Sequence, residues 1–191
     1  MKIAPRRLAG TFELTFEPRA DERGAFTRWY DRDLFAQAGL PMAWMQGNES
    51  RSRGGVVRGL HFQRPPHTEA KLVRVVSGAI FDVFVDLRRG SATFGQWDSL
   101  ELSAARGNAV LIPRGFAHGF CTLGDEAVVS YLVDNVYAPH AEGGLAWDDP
   151  ALAIPWPLLA APVVSAKDRA WPRLEAVEPL VLEAILPGAG R

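Results

Sequence analysis

The stretch Leu72-Val73-Arg74-Val75-Val76-Ser77-Gly78-Ala79-Ile80-Phe81-Asp82-Val83-Phe84-Val85-Asp86-Leu87 decides the fold class. β-Branched and aromatic residues crowd both halves, and such side chains suit a pleated, half-buried surface. It reads as two strands, 72–76 and 80–87, separated by a Ser77-Gly78 turn signal. In the second strand the two-residue period puts Asp82, Phe84 and Asp86 on one face, and Val83, Val85 and Leu87 on the other. Two carboxylates beside a phenylalanine suit a polar cavity inside a barrel, or else a solvated sheet face.

Outward from there, 109–112 and 127–133 also read as strands, the latter after a Gly124-Asp125-Glu126 turn signal. Short strands at regular spacing argue for a β-sandwich or barrel. Helical signal is scarce. Residues 31–38 suit one helix stopped by Gly39 and Pro41, and 149–153 suit a short turn with Asp149 as N-cap and Pro150 at the first helical position. No repeat or linker divides the 191 residues, so one domain is expected, with the tail frayed beyond about residue 183.

Composition narrows the function classes. Twenty-one basic and 22 acidic residues leave a formal net charge of −1, which gives no general attraction to nucleic acid or membrane. Cys121 is the single cysteine, so no intrachain disulfide forms and a reducing compartment fits. Residues 1–10 lack the apolar core of a signal peptide, and no apolar run reaches the roughly 20 residues that span a bilayer. A cytoplasmic protein is expected.

His61, in Arg58-Gly59-Leu60-His61-Phe62-Gln63, is the focus of the functional reading. With an arginine beside it and Lys71 close behind, it suits a base, but a metal ligand or a core residue are alternatives. The segment from Gly107 to His118, with Pro113-x-Gly115-x-x-His118, resembles the second motif of the cupin superfamily. Many cupins bind metal through that histidine, a His-x-His pair and a glutamate. The pair is missing here: His67-Thr68-Glu69 follows Pro65-Pro66 like a loop, and the other histidines are His61 and His140. Such a ligand shortage argues against a metal centre.

The motif order resembles the dTDP-4-dehydrorhamnose 3,5-epimerase family, a metal-free branch of the cupins. The matching pieces begin with Asp21-Glu22-Arg23-Gly24-Ala25-Phe26, Gln46-x-Asn48-x-Ser50-x-Ser52, Arg58 to Gln63 and Lys71-Leu72-Val73-Arg74-Val75. They continue through Asp82 to Arg88, Ser91-x-Thr93-Phe94-Gly95, Pro113 to Phe120, Tyr131, Tyr137, Glu142, Trp147-x-Asp149-Pro150, Ile154-x-Trp156-Pro157 and Ser165-x-Lys167-Asp168. The resemblance spans about residues 10–175. It implies an all-β cupin jelly roll with a few short flanking helices, no cofactor, and a nucleotide-sugar substrate.

The implied reaction is epimerisation of a 4-keto-6-deoxy sugar at C3, C5 or both. Hydrogens there lie alpha to the C4 carbonyl, so their removal gives an enolate. Inversion needs a base on one face, an acid on the other, and a positive donor at the C4 oxygen. By resemblance His61 is the base, Asp168 its orienting carboxylate, Tyr131 the acid and Lys71 the cation at the enolate oxygen. Arg23, Arg58 and Lys167 would meet the diphosphate, Phe26 would stack on the base, and Gln46 and Asn48 would bond base or sugar edges. His118, Tyr137 and Glu142 would line the sugar end. Taken singly, each is an ordinary core, turn or surface residue.

Two positions depart from the family pattern. Arg28 stands where a glutamate that contacts the nucleoside is common, replacing an acceptor with a cation and suggesting altered base preference. Leu132 stands where a lysine is common. The resemblance also implies a homodimer with exchanged N-terminal strands, so that residues 23–28 complete a neighbour's site. Alternatives are a single-centre epimerase or ketoisomerase of another nucleotide sugar, a sugar-binding cupin without activity, and a metal oxygenase.

Overall fold

The computed structural model describes residues 1–41 and 43–182. Its main elements are β1 (Lys2–Pro5), β2 (Phe12–Thr15), β3 (Arg19–Asp21), β4 (Gly24–Phe26), α1 (Arg32–Gln37), β5 (Gln46–Arg53) and β6 (Val57–Gln63). There follow β7 (Lys71–Asp86), β8 (Trp97–Ser103), β9 (Asn108–Ile112), β10 (Phe116–Val133), β11 (Glu142–Gly144) and α2 (Ala166–Arg169). The architecture is all-β and cupin-like, as expected. The expectation of a frayed tail beyond about residue 183 falls on residues outside those described.

Two long antiparallel strands, β7 and β10, run through both layers of the sandwich. The first part of β7 pairs with β9 and the last part of β10 with β5. At the other end β7 pairs with β8 and β10 with β6, which in turn carries β11. The two turn signals of the sequence therefore do not end strands. Ser77-Gly78 and Gly124-Asp125-Glu126 lie across from each other in an irregular stretch of the β7–β10 ladder. Gly78 has φ +76°, and a Cβ there would sit 2.1 Å from the Glu126 carbonyl oxygen, so only glycine fits. Such bulges bend a strand without ending it.

Each bulge also switches which residues face inward. Before it, Val73 and Val75 of β7 enter the central core; after it, Ile80 and Phe84 do so. On β10 the inward residues change from Phe116 and Phe120 to Ala127 and Val129. The alternation read for residues 80–87 holds, with Phe84 in the central core and Val83, Val85 and Leu87 in a second one. The solvated-face alternative does not, because Asp82 and Asp86 are wholly buried. Asp86 accepts bonds from Arg88, Ser91 and Thr93 at the strand's end.

The second core matters for the site. It packs the outer face of β6 and β7 under the C-terminal segment through Leu145, Leu152 and Leu180. That returns the tail to the barrel. α1 starts at its N-cap Asp31, whose carboxylate accepts from Asp33 and Leu34 N–H groups, and Gly39 follows its C-cap with φ +67°. At Asp149 the carboxylate accepts from the Ala151 N–H, closing the expected turn. β5, β6 and β8 carry no strong strand signal in the sequence; β5 is almost wholly polar and is held by its ladder with β10.

Candidate active site

His61 reaches the barrel interior because β6 is bulged. Two residues of β6, Gly59 and Leu60, oppose the single residue Gly119 of β10 between the pairs Arg58–Phe120 and His61–His118. Strict alternation would place Arg58 and His61 on opposite faces. The extra residue instead sends Leu60 outward to the second core and both Arg58 and His61 to one cavity. Gly59 has φ +116°, and a Cβ there would lie 2.6 Å from the Gly119 Cα. The sequence therefore needs glycine at this point.

That cavity, of about 200 Å³, is walled by Ser50, Arg58, His61, Lys71, His118, Gly119, Phe120 and Tyr131. Behind His61 stands Asp168, on the four-residue helix α2 capped by the Ser165 hydroxyl. His61 Nε2 and Asp168 Oδ1 are 2.6 Å apart, with side chains 34% and 6% exposed. Asp168 also accepts from the Gly59 N–H and from Trp171 Nε1. Burial pushes its carboxyl up, but the His61 bond and charge and these two donors together hold it below the ordinary range. A charged acceptor at Nε2 favours the tautomer that leaves Nδ1 with a lone pair. Trp171 packs against β11 where Gly144 leaves no side chain, and its ring meets His61 edge-on.

Lys71 does not snorkel to solvent. Its side chain is 11% exposed and its Nζ is 3.3 Å from Glu69 Oε1. Burial pushes the Tyr131 phenol up, the Glu69 charge adds to this and Arg58 opposes it, so Tyr131 carries its proton at neutral pH. His118 Nε2 lies 2.8 Å from Asp82 Oδ2. Burial drives the Asp82 carboxyl up against the opposing effect of His118, and its Oδ1 has no hydrogen-bond partner among the described residues.

Around the mouth, the Tyr137 hydroxyl donates to Glu142 Oε2, and Lys167 donates to Oε1 of the same carboxylate. Burial pushes Glu142 up, but Lys167 and Tyr137 hold it down. Gln46 accepts the Tyr137 N–H, Asn48 lies exposed opposite Tyr131 in the ladder, and Arg58 donates to Ser52. Arg23, Phe26 and Arg28 are not brought to the cavity. They sit on or just after the β3–β4 hairpin, which among the described residues pairs only with itself; Phe26 is 63% exposed. There Arg23 pairs with Asp21 and Arg28 with Asp31. Leu132 packs beside the core under α1.

Ser50, Gly119 and Phe120 of the cavity wall, and Glu69, Asp82 and Trp171 beside or behind it, had no role assigned from sequence. The strand period places Asp82 on one face with Phe84 and Asp86 but leaves that face open between a cavity and solvent; its neighbour His118 follows once β7 and β10 pair. Glu69 stands two residues before Lys71, a spacing that puts side chains on one side of an extended chain. Nothing in the sequence marks Trp171. Among the described residues, no group of three or more histidine, cysteine, aspartate or glutamate side chains is arranged to hold a metal ion.

The family model described as dTDP-4-dehydrorhamnose 3,5-epimerase matches residues 5–176. The chain belongs to this family. A Pseudomonas aeruginosa dTDP-4-dehydrorhamnose 3,5-epimerase is 48% identical over 166 residues, which are 85% of this chain and 91% of that one. A Streptomyces niveus dTDP-4-dehydrorhamnose 3-epimerase is 45% identical over 170 residues, 88% of this chain and 82% of the relative. Among solved structures, the Legionella pneumophila dTDP-6-deoxy-D-glucose-3,5-epimerase in complex with dTDP-4-keto-L-rhamnose superposes with a TM-score of 0.90. It is 36% identical, with 96% of this chain and 98% of that chain covered. The family's chemistry, an isomerisation at carbon, suits a cavity that collects a histidine, a lysine and a protonated tyrosine.

Proposed function

We propose that this chain epimerises a 4-keto-6-deoxy nucleotide sugar through an enolate, converting dTDP-4-dehydro-6-deoxy-D-glucose to dTDP-4-dehydro-L-rhamnose for deoxysugar biosynthesis. The observation that carries this reading is the single cavity in which His61, backed by Asp168, shares walls with Lys71 and Tyr131. His61 takes the proton alpha to the C4 carbonyl at its free Nδ1, and Asp168 stabilises the resulting imidazolium. Lys71 supplies positive charge to the developing enolate oxygen, where a donor already fixed in place needs no reorganisation. Tyr131 returns a proton from the other face. Arg58, Lys167, Gln46 and Asn48 bind the nucleotide end, while His118, Tyr137 and Glu142 bound the sugar.

Solvent deuterium incorporation into dTDP-4-keto-6-deoxyglucose tests the reading, and its positions report C3, C5 or both. Inversion at one centre is a specific second reading, favoured by the similarity to the Streptomyces niveus 3-epimerase. The His61→Asn variant should bind substrate yet show no exchange; exchange at the wild-type rate would remove His61 from the role. The same reading carries a cytoplasmic homodimer in which residues 23–28, on and just after the hairpin, complete the neighbour's site. An exposed phenylalanine on a hairpin that has no further sheet partner among the described residues supports this. A monomeric mass in solution would count against it. Selective binding of dTDP over other nucleoside diphosphates would refute the altered base preference suggested by Arg28.

A further inference from the structure

We infer that Glu69 is a positioning residue of this site: its carboxylate, tethered by Gln63, clamps the Lys71 ammonium and sets a fixed negative charge beside the Tyr131 phenol. The inference deepens the proposed enolate chemistry and rests on it for the roles of Lys71 and Tyr131. Its geometry stands independently. Glu69 is held at both oxygens, Oε1 by Lys71 at 3.3 Å and Oε2 by Gln63 Nε2 at 3.0 Å. Its side chain is 12% exposed and that of Lys71 11%, so the pair is largely shielded from solvent. A charge pair removed from water interacts far more strongly than an exposed one.

Gln63 makes the tether rigid. It is buried, its Nε2 also donates to the His67 and Val136 carbonyls, and its Oε1 accepts the Ala138 N–H. One amide thus joins the chain before Lys71 to the chain that carries Tyr137. Glu69 cannot swing away from Lys71 without giving up its bond to this anchored amide. The ammonium is in turn restrained against the cavity wall instead of ranging through the space that substrate would fill.

The same carboxylate acts on Tyr131. The charged and titratable groups that share the cavity with that phenol are Arg58 and His61 from β6, Lys71 from β7 and His118 from β10, and Glu69, on the connection before β7, stands behind the Lys71 ammonium. Glu69 is the negative member of the set whose charge raises the phenol, and Arg58 opposes it. Negative charge nearby disfavours the phenolate, so Glu69 keeps the proton on Tyr131 to higher pH. One side chain thereby serves both the cation and the acid.

Glu69→Gln keeps the shape and an acceptor for Gln63 but removes the charge. The chain has three tyrosines, so tyrosine labelled at the phenol carbon gives few enough signals to titrate Tyr131 individually, with Tyr131→Phe assigning it. In Glu69→Gln the Tyr131 signal should titrate at lower pH than in the unsubstituted protein. The alkaline limb of kcat/KM should move to lower pH with it, and Glu69→Asp, which restores the charge, should move both back. A folded Glu69→Gln with both unmoved overturns the inference. So does Glu69→Asp behaving like Glu69→Gln, and Glu69→Asp keeps the test open if the glutamine variant does not fold. The two readings fail separately: if the unsubstituted protein exchanges no substrate hydrogen, the enolate reading fails while the tyrosine titration still measures the Glu69–Tyr131 coupling.

Discussion

Replacing Asp168 with asparagine should disable His61 without emptying the space behind it. Asp168 accepts from three donors: His61 and Trp171 meet Oδ1, and the Gly59 N–H meets Oδ2. An amide has one acceptor. If its oxygen takes the Oδ2 position, its NH₂ faces His61 and Trp171. His61 must then accept at Nε2 and carry its proton on Nδ1, the nitrogen proposed as base. If the oxygen takes the Oδ1 position, the NH₂ opposes the Gly59 N–H and the bulge is strained. Either orientation leaves a buried donor facing a donor, at a cost of about 1–3 kcal/mol in stability. A positioned base contributes about 10²–10⁴-fold to rate, and the first orientation forfeits most of that range. Solvent deuterium exchange at saturating substrate reads the loss, and chemical denaturation reads the stability. An Asp168→Asn protein with a kcat loss under about tenfold, or about 1.4 kcal/mol, would refute the tautomer argument.

Three further outcomes are expected. Tyr131→Phe should continue to exchange hydrogen at the His61 face while net inversion falls by about 10²–10⁴-fold; equal loss of both would mean that Tyr131 does not act separately from the base. Burial pushes the Asp86 carboxyl up, but Arg88, Ser91 and Thr93 hold it at about 2 against an ordinary 3.8, a difference worth about 2 kcal/mol. A lowered folded-state value stabilises above the unfolded value and is lost as pH falls toward about 2, so Asp86→Asn should unfold more easily at neutral pH and match the unsubstituted protein near pH 2 in denaturant titrations. Gly59→Ala places a Cβ 2.6 Å from the Gly119 Cα and 2.8 Å from the His118 carbonyl oxygen at φ +116°. It should lose about 1–3 kcal/mol in stability, together with exchange activity, and unchanged unfolding would show that the ladder adjusts there.

The strand content of the fold was legible because residues such as Val83, Phe84 and Val85 have few stable places outside a buried sheet. The capped helix was legible because Asp31, Gly39 and Pro41 act through local geometry. The strand ends were not. Ser77-Gly78 and Gly124-Asp125-Glu126 carry ordinary turn chemistry, and a bulge inside a continuous ladder uses that same chemistry. Only the partner strand distinguishes the two uses. β5 was hidden for a related reason, since its strand character comes from eight paired positions on β10 and not from its polar side chains. At the site, His61, Lys71, Tyr131 and Asp168 were recognisable by family pattern, whereas Glu69 and Trp171 depend on contacts that no local motif encodes.

The bulges also explain why the site can exist on these strands. His118 and Tyr131 lie on one strand an odd number of residues apart, so unbroken alternation would aim them at opposite faces. Both line the cavity because β10 changes its inward face between them. Lys71 and Asp82 on β7 are separated in the same way: Lys71 lines the cavity, and Asp82 supports His118 in its wall. Arg58 and His61 repeat the pattern on β6, where Gly59 and Leu60 oppose Gly119. Three glycine-bearing irregularities thus convert residues that alternation would scatter into one cluster. A substitution that restored regular pairing at any of them would improve the local ladder and turn a site residue away from the cavity. Strand regularity and site assembly therefore oppose each other in this fold, and the glycines at 59, 78 and 124 stand where that opposition is resolved.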